Sequence, residues 1–320
     1  MIRTILVPLD NSKFGEHALP LALELARRTD ATLQLAHVHE IPADDYTIGS
    51  LLGRLEEEIK ADDRAYLGKL LADIGKVSAV KTTPVLLDGD TAEAIRDHVH
   101  ENGIDLVVMT THGRGALGRF WFGSVADELA RSLNVPLLLV RPHDEDVNYN
   151  AIPTLKNVMI PLDGSTLAER AIEPAVAVGT LSDAEYTLVR VVKPVVRFNY
   201  LPEAATLGDA TEKLLDEIAV HQKEECAAAR AYLKKVAERL RGRSMRVQTR
   251  VLVEEQPAVG IVKEARLSAA DLIAIASHGR GGLGRMLLGS IAEKLVRGSG
   301  LPVLVCRANE KGPQAKQKKP

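Results

Sequence analysis

Apolar residues along the chain fall into short unbroken runs that alternate with longer amphipathic stretches. The runs are Thr4–Pro8, Thr32–His39, Val80–Leu87, Leu106–Thr110 and Pro136–Val140. Between them, apolar positions recur at helical spacing over Glu16–Thr29, Leu51–Ile74, Asp90–Glu101 and Ser124–Ser132. Near-continuous Val, Ile and Leu predict strands buried on both faces. Regular alternation of strand and helix predicts a parallel sheet with helices on both sides. The same pattern returns in the second half, with strands near Val158, Leu188, Val251, Ile273 and Val303. Its second helix is longer, from about Thr211 to Arg241.

The two halves match residue by residue. Arg3–Ser12 aligns with Lys156–Ser165 at an offset of 153, with Pro, Leu, Asp and Ser coinciding. The stretch His112–Ser124 aligns with His278–Ser290 at an offset of 166, and nine of its 13 positions are identical. The 13 further residues of the second copy fall between its second and third strands. A period this long is that of a whole domain rather than a solenoid unit. The expected division is a first domain at 1–142, a polar, proline-bounded linker at 143–155, and a second domain at 156–307. A lysine-bearing tail at 308–320, without apolar periodicity, is expected to be disordered.

Composition narrows the function. A net charge of −2 argues against bulk electrostatic binding of nucleic acid. Aromatic residues make up only 3%, too few for base-stacking platforms. The two cysteines, Cys226 and Cys306, form no CxxC and imply neither a disulfide framework nor a zinc ribbon. No segment approaches the ~18 unbroken apolar residues of a membrane span. The opening Met1–Asp10 reads as a strand rather than a signal peptide. A cytoplasmic protein with no membrane partner and no specific nucleic-acid partner is expected.

In a doubly wound sheet, ligands bind at the carboxyl ends of the strands where the winding reverses. Two segments that stay alike in both copies fall at such ends. One closes the first strand, with Pro8, Asp10 and Ser12. The other closes the fourth, running from Thr110 through His112, Gly113 and Arg114 to Gly123 and Ser124. A glycine-rich loop leading into a helix N-terminus donates backbone N–H groups and suits a phosphate. Ser124 and Ser290 add a hydroxyl; Arg114, Arg119, Arg280 and Arg285 add charge. His112 and His278 have no second ligand at metal spacing, so structural hydrogen bonds are expected of them. His37 and His39, read as lying on opposite sides of their strand and without counterparts at Arg190 and Val192, are given no role. The G-x-G-x-x-G matches at Gly113 and Gly279 follow a fourth strand rather than a first, and no Walker-type loop or nucleophile elbow is present.

Val7-Pro8-Leu9-Asp10, Ile160-Pro161-Leu162-Asp163 and the two His-Gly-Arg-Gly…Gly-Ser stretches resemble the universal stress protein family, as a tandem two-domain member. The resemblance implies, in each copy, a doubly wound parallel five-stranded sheet of strand order 3-2-1-4-5 with helices on both faces. ATP-binding members carry G-x2-G-x9-G-[ST]. Gly113 and Gly279, each followed nine residues later by Gly-Ser, fit its last part, and the family's first glycine falls on Thr110 and Ala276. By this resemblance Asp10 and Asp163 contact the adenine-ribose end, and Val38 and Val191 line the base pocket. The candidate set is Pro8, Asp10, Val38, Thr110, His112, Gly113, Arg114, Gly123 and Ser124 in the first copy. In the second it is Pro161, Asp163, Val191, Ala276, His278, Gly279, Arg280, Gly289 and Ser290. The implied ligand is ATP, with or without Mg²⁺, serving a regulatory role in stress response. Little or no turnover is expected, because no base or metal-binding acid pair is positioned for in-line attack. The alternative is a nucleotide-free interaction module on the same fold. The apolar fifth strands, Val135–Val140 and Leu301–Cys306, are edge strands in this order and are expected to cover each other. That makes the two domains an intramolecular pseudo-dimer, open to further homodimerisation.

Overall fold

The computed structural model describes residues 2–40, 49–112, 123–143, 145–195, 208–277 and 289–307. The first copy runs β1 (Thr4–Leu9), α1 (Lys13–Glu16), α2 (Leu19–Thr29), β2 (Thr32–His39), α3 (Gly49–Val77), β3 (Thr82–Asp88), α4 (Thr91–Glu101), β4 (Leu106–Thr110), α5 (Ser124–Ser132) and β5 (Leu137–Val140). The second runs β6 (Asn157–Pro161), α6 (Thr166–Glu169), α7 (Ile172–Gly179), β7 (Glu185–Val192), α8 (Gly208–Arg241), β8 (Arg246–Val253), α9 (Pro257–Leu267), β9 (Leu272–Ala276), α10 (Ser290–Gly298) and β10 (Val303–Cys306).

The helix expected over Glu16–Thr29 is two helices. Pro20 lacks an N–H and its ring would clash with the carbonyl of Glu16, so the chain breaks and restarts at Leu19 with Pro20 in the first turn. Pro174 divides α6 from α7 in the same way. Helix α8 has 34 residues against 29 in α3, which accommodates part of the second copy's surplus.

Within each copy all strands are parallel in the order 3-2-1-4-5. The two sheets do not stay separate. β5 and β10 pair antiparallel, with Leu138 opposite Leu304 and Leu139 opposite Val303, giving one ten-stranded sheet in the order β3-β2-β1-β4-β5-β10-β9-β6-β7-β8. Two four-residue apolar strands would otherwise expose a row of N–H and C=O groups, and pairing satisfies both at once.

Each face of this sheet carries a large apolar cluster that runs through both copies. One is filled by α2, α3, α7 and α8. The other is filled by α4, α5, α9 and α10. Successive side chains of a strand point to opposite faces, so Ile5 and Val7 join the first cluster and Leu6 the second. The segment between the copies is docked on the first one rather than free. Leu155 is buried in the core and Tyr149 packs against it. The backbone carbonyl of Glu145 faces His17 Nε2 at 3.0 Å. The tail at 308–320 lies outside the described residues.

Candidate functional site

In each copy two loops meet at the carboxyl ends of neighbouring central strands, where β1 pairs with β4 and β6 with β9. This is the place where an open α/β sheet leaves a crevice, because the connections depart to opposite faces. The first loop opens on a left-handed residue, Asn11 (φ 62°) in one copy and Gly164 (φ 83°) in the other. That turn folds the preceding aspartate over the start of the next helix. Asp10 Oδ1 accepts from the Ser12 N–H at 3.2 Å and from the Ser12 hydroxyl at 2.6 Å. Ser12 Oγ in turn accepts from the Gly15 N–H at 3.2 Å, capping α1. A Cβ on Gly15 would lie 2.5 Å from Asp10 Oδ1, so the carboxylate occupies space that a side chain would take. In the second copy Asp163 Oδ1 accepts from the Ser165 N–H at 2.8 Å, and Ser165 Oγ caps α6 through the Ala168 N–H at 3.1 Å.

The second loop is pinned at both ends. The N–H of Thr111 donates to the Val140 carbonyl, and that of Ser277 to the Cys306 carbonyl, each at 2.9 Å. The N–H of Gly123 then donates to the Thr111 carbonyl at 2.8 Å, and that of Gly289 to the Ser277 carbonyl at 2.7 Å. These bonds draw the first turns of α5 and α10 back to the strand ends. A Cβ on Gly123 would stand 3.0 Å from the Thr111 carbonyl oxygen, so the approach relies on glycine. Gly123 and Gly289 occupy the N-cap positions and supply no side-chain cap. The N-cap residues of both helices therefore contribute no side-chain oxygen to their first N–H groups. Ser124 and Ser290, the first helical residues, are exposed.

Thr110 is buried, and its hydroxyl donates to the carbonyl of His112 at 3.1 Å. His112 Nδ1 meets the Thr111 hydroxyl at 2.7 Å. Ala276 is buried in the core. Pro8 and Pro161 are buried within β1 and β6. Val38 is buried, and Val191 half-buried, at the ends of β2 and β7. Gly113, Arg114, His278, Gly279 and Arg280 lie outside the described residues, as do Arg119 and Arg285.

The structure corrects the reading of His37 and His39. Two apart in a strand, they share one face, and both reach the buried carboxylate of Asp63 from α3. His37 Nε2 lies 3.1 Å from Asp63 Oδ1, and His39 Nδ1 lies 3.2 Å from Oδ2. His37 Nδ1 also faces the Leu9 carbonyl at 2.8 Å, one residue before Asp10. A second feature is shared by both copies. The Tyr66 hydroxyl donates to Glu16 Oε1 at 3.3 Å, and Tyr232 to Glu169 Oε1 at 3.0 Å. Burial, then the neighbouring carboxylate, raises both phenols well above their ordinary range, so both stay protonated donors. Glu16 takes a further bond from Tyr149, and Glu169 from Arg239 at 2.7 Å. Alignment of Glu16 with Glu169 and of Tyr66 with Tyr232, at the two repeat offsets, was the available signal for this pair.

Among the described residues no cluster of three or more histidine, cysteine or acidic side chains could hold a metal ion. No described helix is long and apolar enough to cross a membrane.

Comparison with known proteins agrees with this architecture. A universal stress protein of Mycobacterium tuberculosis is 32% identical over 212 residues, 64% of this chain and 63% of its own length. A Mycolicibacterium smegmatis relative of the same description is 28% identical over 313 residues, 95% of this chain and 96% of its own. The crystal structure of a universal stress protein from Archaeoglobus fulgidus superposes with a TM-score of 0.66 at 19% identity, covering 96% of this chain and 98% of that one, and so shares the fold. The family model described as "Universal stress protein family" matches twice, over residues 1–141 and 154–307. Both copies of the repeat are thus accounted for, and the chain belongs to the universal stress protein family.

Proposed function

We propose that the protein binds ATP in each of its two domains and acts as a nucleotide-dependent regulator in stress response, with little or no turnover. One observation carries the reading. The uncapped N-termini of α5 and α10 are each pinned by a glycine N–H to the end of a central strand, beside an aspartate loop that is built alike in both copies. An N-terminus of this kind offers backbone donors and partial positive charge to an anionic group. The residues fit such a ligand. Gly123 lets the start of α5 close onto the Thr111 carbonyl, and the Thr110 hydroxyl is turned into its own loop by its bond to the His112 carbonyl. Ser124 with Gly123, and Ser290 with Gly289, would hold the phosphates together with Gly113, Arg114, His278, Gly279 and Arg280. Asp10 and Asp163 would take the ribose end, and Val38 and Val191 the base. Mg²⁺, where present, would come with the nucleotide.

The same reading treats residues 1–142 and 156–307 as two binding domains joined by 143–155, in a cytoplasmic protein. The β5–β10 seam then plays the part of a dimer interface within one chain.

The test is titration of the full chain with ATP and Mg²⁺ by calorimetry, beside Ser124→Asp and Ser290→Asp. Both serines are exposed. An acid at a helix start favours the helix dipole while repelling phosphate, so binding can be lost without loss of fold. Two sites are expected in the wild type, one in each single variant and none in the double variant, with hydrolysis well below ~1 per second. Absence of binding up to millimolar ATP overturns the reading and returns the protein to the nucleotide-free alternative.

A further inference from the structure

Behind the aspartate loop the two candidate sites are built differently. On β2, His37 and His39 face α3; at the equivalent positions β7 carries Arg190 and Val192. Alignment of Tyr66 with Tyr232 places Ala229 where α3 has Asp63. Ala229 is fully buried and packs with Val192 and Cys226, so the second domain has an apolar contact where the first has a histidine–carboxylate–histidine cluster. Arg190 lies over the Tyr232 ring, 5.2 Å from its centroid. His37 stands against the equivalent Tyr66 ring, with centroids 6.3 Å apart. One position therefore carries a permanent cation in one domain and a titratable imidazole in the other.

Both ring nitrogens of that imidazole face acceptors: Nδ1 faces the Leu9 carbonyl and Nε2 faces Asp63. A neutral imidazole has one N–H and satisfies only one of them; the imidazolium satisfies both. Asp63 also receives His39 Nδ1. With one proton shared between His37 and Asp63 the buried group is neutral. Without it, a buried negative charge remains on Asp63, and either that carboxylate or the Leu9 carbonyl faces a ring lone pair. The other ionisable groups around His37 do not compensate. Tyr66 from α3 is a neutral donor to Glu16, and Tyr149 from the connecting segment is another. Lys60, one turn earlier on α3, is already engaged by Glu56 and Asp88.

We propose that the nucleotide sites answer differently to pH: the first domain's site is proton-linked through His37, a positioning residue that holds the Asp10 loop by the Leu9 carbonyl, whereas the second domain's site, with Arg190 in that place, is not. This rests on the nucleotide-binding reading. The doubly protonated ring, which answers both acceptors, favours binding in the first domain, and loss of one ring proton removes the advantage. ATP itself also gains charge as pH rises, but that change is common to both sites, so the ratio of the two affinities is the measured quantity.

The experiment measures ATP affinity at pH 6.0 and pH 8.5 for Ser290→Asp, which retains the first site, and for Ser124→Asp, which retains the second. The first site is expected to weaken about tenfold relative to the second. His37→Arg in the Ser290→Asp background copies the second domain and is expected to abolish the difference, with circular dichroism verifying the fold at both pH values. Parallel behaviour of the two sites, or persistence of the difference in His37→Arg, overturns the proposal. Nitrogen NMR of the imidazole in the nucleotide-free protein separates this failure from failure of the binding reading. Two ring N–H groups on His37 at pH 6.0, with one lost by pH 8.5, sustain the proton link even if no ATP binds. A single neutral tautomer throughout overturns it even if ATP does bind.

Discussion

Leu138 and Leu304 face each other across the seam that joins the two domains, and both are fully buried in one apolar cluster together with Val108 and Ala274. Truncation of either to alanine removes buried methylenes and leaves a cavity, at a cost of about 2–5 kcal/mol. The two cavities would be adjacent, so the double variant should lose less than the sum. Contacting core residues couple by about 0.5–3 kcal/mol, and directly opposed strand residues sit toward the lower part of that range. A coupling near 1 kcal/mol is therefore expected. The assay is urea denaturation of the wild type, Leu138→Ala, Leu304→Ala and the double variant, followed by far-ultraviolet circular dichroism. The wild type should unfold in one transition, because the apolar clusters run through both domains. Leu304→Asp, which places a carboxylate in this core without a partner, should split the unfolding into two transitions and expand the particle in small-angle scattering. Additivity of the alanine variants within about 0.3 kcal/mol, or an unchanged particle for Leu304→Asp, would refute the seam.

Two further outcomes follow from the geometry. Asp10→Ala and Asp163→Ala should each weaken one nucleotide site, read by the same calorimetric titration, since each removes the carboxylate that organises its loop through Ser12 or Ser165; unchanged affinity in both would detach the loops from the ligand. Gly179→Ala should destabilise the second domain by about 1–3 kcal/mol, because its Cβ would stand 2.6 Å from the hydroxyl of the buried Tyr186, and a melting temperature equal to that of the wild type would contradict this.

Elements governed by local periodicity were legible in the chain. β2, β4 and α5 lie where their patterns place them, at Thr32–His39, Leu106–Thr110 and Ser124–Ser132. The break between α1 and α2 was legible too, at Pro20, but an apolar stripe continuing through Glu16–Thr29 masked it. Of the candidate site, the duplicated Asp10 and Asp163 loops and the Gly-Ser helix starts stood out, because both copies retain them while the second helices differ in length. The cluster of His37, Asp63 and His39 did not stand out. Asp63 is one polar position among many on a long amphipathic helix, and its partners lie 26 and 24 residues away. Only the rotation and depth at which α3 packs on β2 bring its carboxylate to both imidazoles.

Hydrophobic period, turn chemistry and the repeat account for the strands, the helices, their duplication and the parallel sheet, whereas the strand order within each copy was implied only by the family resemblance. That the apolar fifth strands cover each other was expected from the chain; the folded structure sets the antiparallel register of β5 on β10, the residues that meet across that seam, and the placing of His37 and Arg190 against equivalent tyrosine rings. Those outcomes depend on surfaces assembled from distant segments, whose contacts exist only once the helices have packed and the strand edges have found a partner.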